Sequence, residues 1–274
     1  MPQPVMSVMS AAELSNRRDP AAIRTAIRAG KYTGYTAGLA PGHVQANVCI
    51  LPSDYAGEFL LYCQRNPQPC PLIAQGDLGN PFLPTLGKDL DIRTDIPRYH
   101  VFEAGRFVQE VTDIKNLWRD DFVTFVLGCS FSFEEALREA GLPLRFLDRN
   151  DVAGVYETTI DTKPAGRFHA KLMVTMRPFT PKDAIRAIQV TSRFPNVHGA
   201  PIHIGDPAAI GVDLDKRYQG VGSGEVLAGE LPLFWACGLT PQLAVANAKP
   251  PVCITHAPSS MLVTDLRNAS LAVL

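Results

Sequence analysis

Residues 122–135 read Phe122-Val123-Thr124-Phe125-Val126-Leu127-Gly128-Cys129-Ser130-Phe131-Ser132-Phe133-Glu134-Glu135, and they give the order strand, tight turn, helix. Phe122 to Leu127 is an apolar run of strand length, and Ser132-Phe133-Glu134-Glu135 has the capping-box pattern that opens a helix, which Gly141 then ends. Downstream, Val152 to Ile160 and Phe168 to Met176 read as strands joined by a turn at Lys163-Pro164-Ala165-Gly166. Ala184, Ile185, Ile188 and Ser192 mark a helix that Phe194-Pro195 breaks. This order suits an antiparallel-containing sheet covered by helices on one side, and it predicts an inserted α+β two-layer domain over 120–194.

Outward from that segment the texture changes. Asp19-Pro20 reads as an N-cap and first helical position, with Ile23, Ala26 and Ile27 on one stripe before Gly30. Lys31 to Gly42 is a Gly- and Thr-rich loop, and Val44 to Leu51 is extended. Ser53 caps a helix that stops near Asn66, because Pro67, Pro69 and Pro71 follow. Leu72 to Ala74, Tyr99 to Phe102 and Phe107 to Val111 read as short strands. Pro201 to Ile204, Leu233 to Ala236 and Val252 to Thr255 resemble buried strands of an open α/β sheet with functional loops at their ends. The fold class expected is therefore α/β, with a discontinuous α/β domain made of residues 1–119 and 195–274 around the insert.

Composition narrows the function classes. The 274 residues carry 26 Lys+Arg against 27 Asp+Glu, a formal charge of -1, which disfavours nucleic acid or an anionic membrane as the main partner. Hydrophobic residues at 46% supply a large core and exclude disorder as the dominant state. No positively charged leader precedes an apolar segment, and the uncharged stretch Leu231 to Ala248 is broken by Pro232, Gly238 and Pro241, so a soluble, cytoplasmic protein is expected. Six cysteines without a CxxC pair fit reduced thiols.

Three clusters could do chemistry. In His198-Gly199-Ala200-Pro201-Ile202-His203-Ile204-Gly205-Asp206-Pro207, an extended segment places His203 opposite the apolar pair Ile202 and Ile204, and Asp206 could orient an imidazole or act as acid or base. Asp206 could equally cap a turn before Pro207, and either histidine could be hydrogen-bonded packing. His256 follows a short apolar run and precedes Ala257-Pro258, where open sheets place ligand contacts. Cys129 and Ser130 sit between a strand and a helix N-terminus, suited to a nucleophilic thiol or an anion-holding hydroxyl, or to a merely buried thiol beside a capped helix. Arg93, between Asp91 and Asp95, could hold a carboxylate, or be neutralised by an acidic neighbour. The histidines and Asp206 match no metal-ligand spacing, so no metal and no cofactor is expected, and a metal-dependent hydrolase is the weaker alternative.

Six blocks carry a family resemblance: Val44-Gln45-Ala46-Asn47, Asn66-Pro67-Gln68-Pro69-Cys70-Pro71-Leu72, Asp91-Ile92-Arg93-Thr94-Asp95-Ile96-Pro97, Gly128 to Glu134, His198 to Pro207, and Phe234-Trp235-Ala236-Cys237-Gly238-Leu239-Thr240-Pro241-Gln242. Over nearly the whole chain the sequence resembles the D-glutamate cyclase family, long labelled as hydro-lyases. The resemblance implies a two-part α/β architecture and reversible conversion of D-glutamate to 5-oxo-D-proline, with no established catalytic residues to transfer. The chemistry needs one base, one acid and one anion holder. The expected assignment is His203 as base, Asp206 as its orienter or the acid, and His198 and Cys129 as further catalytic groups. Ser130 with the helix start would hold an oxyanion or carboxylate, and Arg93 the α-carboxylate, with Asp95, His256 and Asn47 as further substrate contacts. The partner is then a small carboxylate, with a homo-oligomer allowed. The alternative from another class is a non-catalytic carboxylate-binding or regulatory protein.

Overall fold

The structure, a computed structural model, describes residues 18–149 and 151–273. The reading that no leader opens the chain falls on residues 1–17, outside the described residues. In chain order the elements are α1 (Pro20–Arg28), β1 (His43–Pro52), α2 (Ser53–Arg65), β2 (Leu72–Gln75), β3 (Tyr99–Glu103), β4 (Arg106–Val111), β5 (Phe122–Leu127), α3 (Phe131–Glu139), α4 (Arg145–Asp148), β6 (Gly154–Asp161), β7 (Lys171–Phe179), α5 (Pro181–Thr191), β8 (His203–Ile204), β9 (Leu231–Ala236), α6 (Leu239–Ala248), β10 (Cys253–His256) and β11 (Leu262–Arg267). Among the described residues no helix is long and apolar enough to cross a membrane.

The chain forms two units that interleave in sequence. The first contains the described residues up to Ala56, Ala74–Val126 and Lys249–Arg267. It is built on a seven-stranded sheet of order β2-β5-β1-β10-β3-β4, with β11 also on β1. The first half of β1 pairs β11 (Ala46 opposite Leu262) and its second half pairs β10 (Cys49 opposite Thr255), both antiparallel. Helix α1 begins as its sequence dictates. Asp19 accepts from the Ala21 amide at 3.0 Å, Pro20 needs no partner for an absent N–H, and Ile23, Ala26 and Ile27 pack with Val263 of β11.

The second unit contains Gly57–Ile73, Leu127–Ala248 and the described residues from Asn268 on. Its sheet is antiparallel, of order β6-β7-β9-β8. Neighbouring residues of a strand face opposite ways, so Phe234 and Trp235 of β9 define two faces. On one, Trp235 packs against Phe133 of α3 and Phe179, its indole N–H reaching Thr191 Oγ1 of α5 at 3.2 Å. On the other, Phe234 joins Tyr156, Val174 and Met176 beneath Ile210 and Val212 of the long β8–β9 connection.

Two expectations change. Every strand pairing described above is antiparallel, so the short apolar runs expected as strands of an open α/β sheet build antiparallel sheets instead: a buried run reads the same in either kind of sheet. The boundaries also differ from 120–194. Phe122–Leu127 lies in the seven-stranded sheet, while β8 and β9, expected with the discontinuous part, pair with β7 and belong with the second unit.

Candidate functional site

The helix-side face of the second unit gathers residues from four of the six sequence blocks. The turn after β5 passes so close to the 195–198 turn that a Cβ on Gly128 would sit 2.3 Å from the Asn196 carbonyl oxygen. Gly128 donates its amide to Pro71 O at 2.8 Å. From the same 66–72 block, Gln68 reaches Ala200 O with its side-chain amide at 2.7 Å and accepts at its own carbonyl from His198 Nδ1 at 2.8 Å. The glycine is thus a packing requirement, and the proline-rich segment is a scaffold for the histidine turn.

A carbonyl only accepts, so His198 carries its proton on Nδ1 and its lone pair on Nε2. His198 is 1% exposed, and burial, aided by the Arg177 charge, lowers it to about 4 in spite of the Gln68 bond. It is a neutral imidazole at physiological pH. The residue takes φ +83°, a left-handed conformation that costs a non-glycine residue energy, and it follows a short 3₁₀ turn, Pro195–Val197.

Beside it lies a buried ion pair absent from the sequence reading. Arg177 of β7, 1% exposed, donates from Nη2 to Glu134 Oε1 of α3 and from Nη1 to Thr175 Oγ1 at 2.9 Å. Its guanidinium lies 5.0 Å from the Phe133 ring centroid and 5.3 Å from that of Trp235. Ser130 Oγ donates to the same Glu134 Oε1 at 3.1 Å. Helix α3 starts at Phe131, one residue before the expected capping box, and Ser130 is its N-cap without a side-chain cap bond. The signal for Arg177 in the sequence is a lone charged residue inside the run 172–179, which is apolar apart from it and Thr175.

Cys129 and Cys237 are half-buried free cysteines. Burial pushes Cys129 up to about 12, with the Glu134 carboxylate and Cys237 adding to it, against the lowering bond from the Phe131 amide. Burial raises Cys237 as well. A nucleophilic thiolate at Cys129 is therefore not what this environment makes. It makes a thiol hydrogen-bond donor.

His203 and Asp206 do not join this cluster. His203 pairs with Phe234 across β8 and β9, and its ring lies against Phe234 (centroids 5.8 Å), on the sheet face opposite Trp235 and Arg177. Its Nε2 donates to the main-chain oxygen of Asp206 at 2.6 Å, while the Asp206 carboxylate accepts from the Ala208 amide at 3.0 Å and caps a 3₁₀ turn. The contact between the two residues thus runs through the Asp206 carbonyl and not through its carboxylate. Ile204, expected in the core beside Ile202, is 42% exposed.

The remaining expected residues lie in the first unit. Arg93 is held bidentately by Asp91, Nε to Oδ1 at 2.9 Å and Nη2 to Oδ2 at 2.8 Å. Asp95 is fully buried and takes both Arg28 Nε at 2.8 Å and Nη2 at 2.6 Å, with Thr94 and the Asp91 amide filling its other lone pairs. His256 is 4% exposed on β10, its Nδ1 lies 3.1 Å from the Val48 amide and 3.4 Å from the Val48 carbonyl oxygen, and it is lowered to about 4 by burial. Asn47 is buried on β1. Among the described residues no three His, Cys, Asp or Glu side chains come together as a metal-binding set.

Fold and site together define a two-unit protein of mixed α/β content with neutral acid-base groups over a buried Arg–Glu pair. Residues 123–265 match the family model described as D-glutamate cyclase. A protein of Afipia carboxidovorans is 68% identical, covering 94% of this chain and 96% of its own length. One of Bordetella petrii is 57% identical over 92% and 95%, and one of Bradyrhizobium diazoefficiens 52% identical over 98% and 100%. All three bear the name "Putative hydro-lyase". The chain belongs to the D-glutamate cyclase family. A solved structure of a nitrogen repressor-like protein from Methanococcus jannaschii matches with a TM-score of 0.37 and 11% identity over 88% of this chain and 96% of that one, too slight a likeness to argue from.

Proposed function

We propose that the chain is a hydro-lyase acting on a small carboxylate, and that its reaction is the reversible dehydration of D-glutamate to 5-oxo-D-proline. In that reaction the α-amine attacks the γ-carboxyl carbon, the C–N bond forms, and one carboxyl oxygen leaves as water with a proton supplied to it. The protein must take a proton from the amine and deliver one to the departing oxygen.

The observation that carries the reading is that the Arg177 charge acts on both His198, a neutral imidazole, and Cys237, whose thiol in turn neighbours that of Cys129. The lone pair of His198 Nε2 suits the base. The thiols and the start of α3 suit a developing oxyanion, as donors that need not ionise. Cys129, Ser130 and Cys237 are the partly exposed members of the cluster, through which a substrate is reached, whereas Glu134, Arg177 and His198 are buried. Family membership supports the substrate assignment.

The test is incubation of purified protein with D-glutamate, L-glutamate and each 5-oxoproline enantiomer, followed by chiral chromatography. Interconversion of the D pair supports the reading. Binding of D-glutamate without turnover would replace it with a carboxylate-binding role, and neither binding nor turnover would remove D-glutamate as the substrate.

A further inference from the structure

Glu134 and Arg177 reverse the role that position alone suggests for Ser130. At a helix start a serine hydroxyl is a ready donor to an anion. Here its single proton is spent. A carboxylate accepts and cannot donate, so the 3.1 Å contact has Ser130 Oγ–H pointing at Glu134 Oε1. Glu134 cannot turn away to release it, because the same oxygen is held by Arg177 Nη2.

Arg177 is itself fixed. Thr175 takes Nη1 at 2.9 Å, and the Phe133, Phe146 and Trp235 rings lie 5.0, 5.7 and 5.3 Å from the guanidinium carbon. An ion pair this buried is maintained at a desolvation cost and is strongly disfavoured when one partner is removed. The half-buried Ser130 also hydrogen-bonds the Cys129 side chain, which as a thiol can take one lone pair of Oγ; the other lone pair remains, and a hydroxyl presenting a lone pair to a ligand attracts N–H and repels carboxylate oxygen.

Resting on the D-glutamate reading, we propose that Ser130 binds the substrate's amine as a hydrogen-bond acceptor, and that Glu134 and Arg177 are positioning residues that hold it in that polarity. The site then selects amine-bearing dicarboxylates over the same skeleton without nitrogen.

The experiment compares D-glutamate with glutarate, the five-carbon diacid lacking the amine, on wild type, Ser130→Ala, Glu134→Gln and the double variant. D-Glutamate KM and the inhibition constant of glutarate are read for each, with thermal melting to establish folding. Ser130→Ala removes one partly exposed oxygen and leaves the Arg177–Glu134 pair intact. It is expected to weaken D-glutamate by about ten- to a hundred-fold, the loss of one hydrogen bond to a charged group, and to leave glutarate unchanged. If Glu134 acts through Ser130, the double variant loses no more than the more impaired single variant. Equal weakening of both ligands by Ser130→Ala, or additive losses in the double variant, overturns the inference while leaving the D-glutamate reading intact. Wild type that neither turns over nor binds D-glutamate overturns both.

Discussion

His198 Nδ1 donates to the main-chain oxygen of Gln68 at 2.8 Å, which fixes its proton on Nδ1, whereas His256 Nδ1 meets both the amide and the carbonyl of Val48, at 3.1 and 3.4 Å. Both are held neutral in the folded chain.

A pH dependence of stability follows. Burial lowers both histidines to about 4, against about 6.5 in an unfolded chain. Above the unfolded value neither state is protonated and the histidines cost nothing. Below it the unfolded chain takes up protons that the folded chain refuses, so stability falls as pH drops through the folded value. The loss approaches about 3 kcal/mol per histidine. Urea midpoints across that window measure it, and His198→Gln and His256→Gln should each flatten the slope. A flat midpoint in wild type would contradict the buried, neutral assignment.

Activity should separate the two faces of the second unit's sheet. His198→Gln is expected to lower turnover of D-glutamate by about a hundred-fold or more, the usual contribution of a general base. His203→Ala and Arg93→Ala should stay within about two-fold, since one residue lies on the Phe234 face and the other is tied to Asp91. A large loss in His203→Ala with unchanged melting would return that residue to the reaction.

Thiol chemistry offers an independent check. With Cys129 pushed up to about 12, iodoacetamide labelling of the native protein near neutral pH should be at least about ten-fold slower than in urea. Mass spectrometry of the Cys129 peptide over time reads it, and fast native labelling would mean that a thiolate is present.

Gly128→Ala should be among the costlier single-methyl additions, by about 2 to 4 kcal/mol, because the new Cβ would lie 2.3 Å from the Asn196 oxygen and 3.1 Å from Val197 Cα, backbone atoms that cannot rotate aside. Chemical denaturation measures this directly. A neutral result would show that the two turns separate easily.

Local structure was legible where short-range chemistry decides it. The Asp19-Pro20 start, the Phe122–Leu127 strand, the hairpin of β6 and β7 and the helix broken before Pro195 all follow from caps, run lengths and prolines. Pro241 falls in the first turn of α6, where a proline costs no hydrogen bond. Strand partners were not legible, because Leu231–Ala236 could sit in a parallel or an antiparallel sheet until its pairing with β7 is seen. The same blindness misplaced His203: alternation separates it from Ile202 but cannot say which side of the sheet bears the thiols. Polar inventory drew attention to Arg93 and Asp95, which neutralise their neighbours, and passed over Arg177 and Glu134, whose importance comes from burial.

The chain passes between its two units at 56/57, 73/74, 126/127, 248/249 and 267/268. Neither unit can be cut out as one continuous piece of gene. A recombination event that swaps any single segment between relatives imports fragments of both, so foreign halves must match each other along every junction they share. Diversification by exchanging whole modules is closed to such a chain, and point substitution within an inherited frame is the path left to it.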